Sequence, residues 1–148
     1  MSLTNNVAED DFASLSKLSW ECISPVIMTV RGKNPDVKTD AYSRLNEGRK
    51  AIFSFHVYFD HARKDPDSFV YWSRLYSQMN FFGEIKKGVS YFSNPAFASL
   101  LAEIEVRLIG QTGGGLQELF ERFTSAGEEH IILMGKAINA NRPYFSTD

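Results

Sequence analysis

Among the side chains able to do chemistry, the three histidines come first: His56, His61 and His130. His56 and Asp60 stand four residues apart, so on a helix both project from one side. Arg49 and Phe53 share that flank. An imidazole beside a carboxylate, with His130 arriving from a later segment, is raw material for a metal or acid–base site of the kind helical bundles build from facing helices. The same residues would equally make a plain polar pair, or an Arg49–His56–Asp60 cluster, bordering the core. No Glu-x-x-His or His-Glu-x-x-His pattern accompanies them. His61 falls nearly opposite the apolar stripe of its segment and is expected to face solvent.

Other candidates carry less. Glu103 and Glu105 are two apart and cannot share a helix face, whereas Arg107, four after Glu103, suits a surface pair. Glu128 and Glu129 read as a solvated face. Thr112-Gly113-Gly114-Gly115 precedes a helical pattern and could offer backbone N–H groups to an anion. Leu116-Gln117 follows it where a P-loop needs Lys and Ser/Thr, so a hinge-like loop is expected. Cys22 is the only cysteine, which excludes an internal disulfide and a cysteine-based zinc site. Its periodic position marks a small buried hydrophobe. There is no Gly-x-Ser-x-Gly elbow.

The elements that must hold these residues read as helices. Phe12, Leu15, Ser19, Cys22 and Ile23 advance by three and four from a start at Asp10 or Asp11, and Pro25 predicts a kink or a second short helix. Lys33 to Lys38 reads as a loop. Ala41, Leu45, Gly48, Ile52, Phe55, Phe59 and Ala62 form one narrow stripe, predicting a central helix from about Thr39 to Arg63. Asp65-Pro66-Asp67 and Ser93-Asn94-Pro95 are helix starts. Between them, 83–92 fits either a helix or a strand. Residues 116–139 fit one long helix or two, since Ser125-Ala126-Gly127-Glu128 resembles a capping box. No two alternating strands are available to pair. The expected fold is an all-α, single-domain bundle of six or seven helices over 1–148, with terminal arms at 1–9 and 140–148.

Composition narrows the function classes. The 148 residues carry 16 Lys+Arg against 18 Asp+Glu, a formal net charge of -2, which argues against a dedicated nucleic-acid surface. Met1 to Asp11 is polar and acidic rather than signal-like, and no window approaches the ~20 apolar residues of a membrane span. A cytoplasmic protein without nucleic-acid or membrane partners is expected, and no cofactor is implied.

Aromatics are 14% of the chain, and 14 of the 20 fall between Tyr42 and Phe97. Helical stripes account for Phe55, Phe59, Phe69, Trp72 and Phe97. Phe53, Tyr58, Tyr71, Phe81 and Tyr91 lie off their stripes. Such rings are enclosed by further helices, line a pocket or form a contact surface. Tyr71, Trp72, Arg74, Tyr76 and Met79 also cluster in sequence. The leading expectation is a non-catalytic interaction module, with a homodimer as one form. The alternatives are a metal-dependent or acid–base enzyme using His56, Asp60 and His130, and a binder of small apolar ligands walled by Phe53, Tyr58, Tyr76 and Phe82.

Overall fold

The computed structural model describes residues 12–110 and 115–145. The expected helix start at Asp10 or Asp11, the arm at 1–9, the Thr112–Gly114 stretch and the last three residues lie outside the described residues.

All described regular structure is helical. Helices α1 (Phe12–Glu21) and α2 (Ser24–Val30) are separated at Pro25, which occupies the first turn of α2. Proline tolerates that position because the first-turn N–H is unpaired in any case. Helix α3 (Pro35–Ser43) follows, its first turn capped by the Asn34 side chain, which accepts from the Val37 N–H at 3.0 Å. Asn46 likewise accepts from the Arg49 N–H at 2.9 Å and starts α4 (Glu47–Ala62). The expected single helix from about Thr39 is therefore two: the cap at Asn46 separates α3 from α4, and much of the stretch read as a loop belongs to α3.

Asp65 caps α5 (Pro66–Gln78) through the Ser68 N–H at 2.7 Å. Residues 83–92 are helical, within α6 (Phe82–Tyr91). Asn94 caps α7 (Pro95–Ile104), which runs on as a π-helical segment, Glu105–Gly110. Helix α8 (Leu116–Ala140) is continuous through the apparent capping box. A short α9 (Arg142–Phe145) then turns back onto the body, so part of the expected C-terminal arm is docked with Phe145 buried. The nine helices and the π segment among the described residues compare with six or seven expected. The surplus comes from α3, α9 and the break at Pro25.

Helix α4 is enclosed on nearly all sides. Gly48, Ala51, Ile52, Phe53, Ser54, Phe55, His56, Tyr58, Phe59 and Ala62 are all buried. Two glycines allow its neighbours to approach. A Cβ on Gly88 of α6 would lie 2.9 Å from the Ala51 Cα, and one on Gly127 of α8 would collide with the edge of the Phe59 ring. Backbone cannot yield as a flexible side chain can, so Gly88 sets the α4–α6 spacing. Gly127 leaves room for the Phe59 ring, so the small residue within α8 marks a side-chain contact, not a break.

These contacts predict opposite outcomes for two glycines of α6. Gly88→Ala should destabilise the protein by about 2 kcal/mol or more, as overpacking does. Gly83→Ala meets nothing within 4 Å and should be neutral or stabilising by up to ~1 kcal/mol. Denaturant unfolding of the two variants against wild type measures both.

Candidate functional site

The His56–Asp60 pair forms as the spacing requires. The imidazole Nδ1 lies 3.1 and 3.2 Å from the two Asp60 carboxylate oxygens. On its other side, Nε2 stands 2.8 Å from the Ser19 hydroxyl of α1. A carboxylate only accepts, so Nδ1 carries the proton toward Asp60. The Ser19 hydroxyl then donates either to Nε2 or to the Ser16 carbonyl, 3.1 Å away.

This Ser–His–Asp order is the one that activates serine in hydrolases, but here it runs inside out. Ser19 is fully buried, while the Asp60 side chain is 42% exposed. A nucleophile must meet substrate, and this hydroxyl faces the protein interior. The chain of hydrogen bonds ties α1 to α4. Sequence periodicity had placed Ser19 on an apolar stripe without giving it a role. A polar residue at a core position was the signal, because a buried hydroxyl needs a partner.

His130 packs against Phe55, Phe92 and Phe97, with ring centroids 5.0–5.7 Å away, and Phe55 also contacts His56. Asn94 fixes its tautomer. The Asn94 carbonyl oxygen accepts from the Phe97 N–H at 3.1 Å, so the amide nitrogen donates to His130 Nδ1 at 3.0 Å. The neutral ring therefore carries its proton on Nε2, which has no hydrogen-bond partner among the described residues. Burial, reinforced by the charge of His56, lowers its pKa to about 3. Among the described residues, no group of three His, Cys, Asp or Glu side chains is placed to hold a metal ion. Both His56 nitrogens already have protein partners.

Cys22 is buried, donates weakly to the Leu18 carbonyl at 3.4 Å, and has its thiol pushed up to about 11 by burial. It behaves as the small hydrophobe its position suggested. His61 is exposed and stacks on Trp72, centroids 4.4 Å apart. Glu103 does more than form the expected pair. It meets Arg107 at 2.8 Å and Arg122 of α8 through both oxygens at 2.9 and 3.0 Å, which hold its carboxyl down at about 2. This bridge fixes the π segment against α8.

The off-stripe aromatics divide sharply. Phe53 and Tyr58 are buried, and Tyr58 bonds Ser73 at 2.6 Å. Phe81 and Tyr76 are half-buried, and the Tyr76 hydroxyl donates to the Val57 carbonyl at 3.1 Å. The residues expected to wall an apolar pocket instead pack on aromatic neighbours. Tyr58 lies 5.6 Å from Phe82 and 6.0 Å from Tyr76, and Phe53 lies 5.4 Å from Tyr42. Only Tyr71 (59%) and Tyr91 (43%) of this set are exposed.

Tyr71 borders a groove of about 570 Å³ between α5, the π segment and the start of α8. Val70, Leu75, Leu108, Leu116 and Leu119 give it an apolar floor, and Asp67, Arg74, Gln78 and Arg107 stand around it. The π segment shapes one wall. Late carbonyls of a helix lack partners within it, and Arg74 Nε donates to that of Leu108 at 2.9 Å, anchoring α5 to the segment. π-helical turns often occur at functional sites.

No protein-family model, curated protein or solved structure matches this chain.

The buried neutral His130 makes stability pH-dependent. A histidine whose folded pKa is depressed contributes stability that is intact above the unfolded value near 6.5 and is lost as pH falls toward 3. Between pH 7 and 5 this single group should cost about 2 kcal/mol. His130→Leu should lose less stability over that interval than wild type, by about that amount, in urea titrations at the two pH values.

Proposed function

We propose that the protein is a non-catalytic interaction module whose recognition surface is the groove beside α5. One observation carries this: an apolar groove of about 570 Å³ bordered by a tyrosine that is 59% exposed. The aromatics of the central helix are consumed by the core, and Ser19 and His56 bond each other inside it. Tyr71 is left at the surface beside an arginine, and Tyr and Arg are the residue types that most often anchor protein contacts.

The form of the groove favours a protein segment over a small molecule. Small-ligand sites enclose most of their ligand, whereas this groove is open to solvent. Helix-sized grooves with apolar floors and polar rims are a recurring mode of peptide recognition.

Selection of binders from a randomised peptide library tests the reading. Peptides recovered on the wild-type protein should lose about tenfold or more in affinity against Tyr71→Ala, as truncation of an interface hot spot does. They should also shift backbone amide resonances around Leu75 and Leu108. Recovered peptides that bind Tyr71→Ala as well as wild type would overturn the assignment.

A further inference from the structure

We infer that the occupant of this groove is a second copy of the same chain, docked through an antiparallel pairing of α5 with α5. The inference rests on the groove reading above and adds the identity of the partner. It follows from the order of residues along one edge of α5. Asp67, Tyr71, Arg74 and Gln78 are all exposed, and their spacing of four, three and four places them on one stripe. The half-buried Val70 and Leu75 flank it as part of the groove floor.

A two-fold axis passing between Val70 and Tyr71 pairs each residue with the one equally far on the other side. Asp67 of one copy then faces Arg74 of the other, and the reverse pair forms at the same time. This is the reciprocity that a two-fold interface requires. The two ion pairs straddle two tyrosines, each directed at the apolar floor of the opposite groove. The stripe is thus its own charge complement: a foreign helix would have to reproduce the Asp–Arg order that α5 already carries. Arg74 is also oriented in advance. Its Nε is held by the Leu108 carbonyl at 2.9 Å, while the side chain as a whole stays exposed. A planar guanidinium fork suits a carboxylate arriving from a second molecule. Arg107, on the opposite wall, is engaged with Glu103 and leaves the pairing to Arg74.

One helix stripe and a groove make a small interface, so association in the micromolar range is expected. The experiment is sedimentation of the full chain from about 5 μM to about 1 mM, with wild type, Asp67→Lys, Arg74→Glu and an equimolar mixture of the two variants. Circular dichroism and thermal melts confirm that each variant is folded.

Wild type should form a dimer. Each variant alone should weaken it at least tenfold, because like charges then meet twice. The mixture should associate again, because one copy brings two cations and the other two anions. A chain that stays monomeric to 1 mM overturns the inference, as does a dimer indifferent to both substitutions or a mixture that fails to associate. A monomeric protein that still captures peptides through Tyr71 would overturn only the identity of the occupant. A monomer that captures none would overturn the groove reading as well.

Discussion

The enclosure of α4 is the constraint on which the rest of the structure depends. A helix carrying Phe53, Phe55, Tyr58 and Phe59 presents large apolar surface in several directions and must be wrapped by other helices. Helix α6 approaches over Gly88, α8 receives the Phe59 ring at Gly127, and α5 contributes Phe69 and Ser73. The aromatic rings stack and tilt on one another across these contacts: Phe55 on Phe59, and Phe123 against Tyr58, Phe59 and Phe69. Such ring pairs add about 0.5–1.5 kcal/mol each beyond area burial. Once α4 is covered, the outward edge of α5 and the π segment are fixed as the walls of the groove.

The same enclosure decides what happens to the polar groups on α4 and its neighbours. Burying a polar atom without a partner costs about 1–3 kcal/mol. Ser19 therefore meets His56, Tyr58 meets Ser73, and Asn94 meets His130. Each pair joins two helices, so these groups set which helices touch. In the Ser19–His56–Asp60 chain the serine is the buried end and the carboxylate the exposed one, so this chain ties α1 to α4.

Much of the fold was legible in residue order, for physical reasons that also explain the misses. The starts at Asp65-Pro66 and Asn94-Pro95 are local: cap, proline and first turn lie within four residues, so sequence alone suffices. The break at Asn46 was hidden because the apolar stripe of α4 continues backwards through Leu45 and Ala41, and Leu45 is indeed buried. Periodicity reports which residues face the core and is blind to a cap that interrupts the helix between them. The continuity of α8 was ambiguous because Gly127 serves a contact with Phe59, far away in sequence. The His56–Asp60 pair was legible from spacing, but its third member, Ser19, depended on how α1 packs on α4. The groove was only half legible. Tyr71 and Arg74 stood out on α5, whereas Leu108, Leu116 and Leu119 read as ordinary core, and the junction of the π segment with α8 is what brings them to the groove floor.

What the fold leaves at the surface is thus more informative than what it buries. Twenty aromatics reduce to a few exposed rings, and one of these borders an apolar groove flanked by a self-complementary charge pattern. Carbene footprinting read by mass spectrometry, repeated across protein concentration, tests this most directly because it compares rings within one molecule. Labelling of Tyr71 should fall as concentration rises from about 5 μM to about 1 mM, while labelling of Tyr91 stays constant and Tyr58 remains unlabelled throughout. Equal labelling of Tyr71 at every concentration, or labelling of Tyr58 to the same extent, would contradict the account.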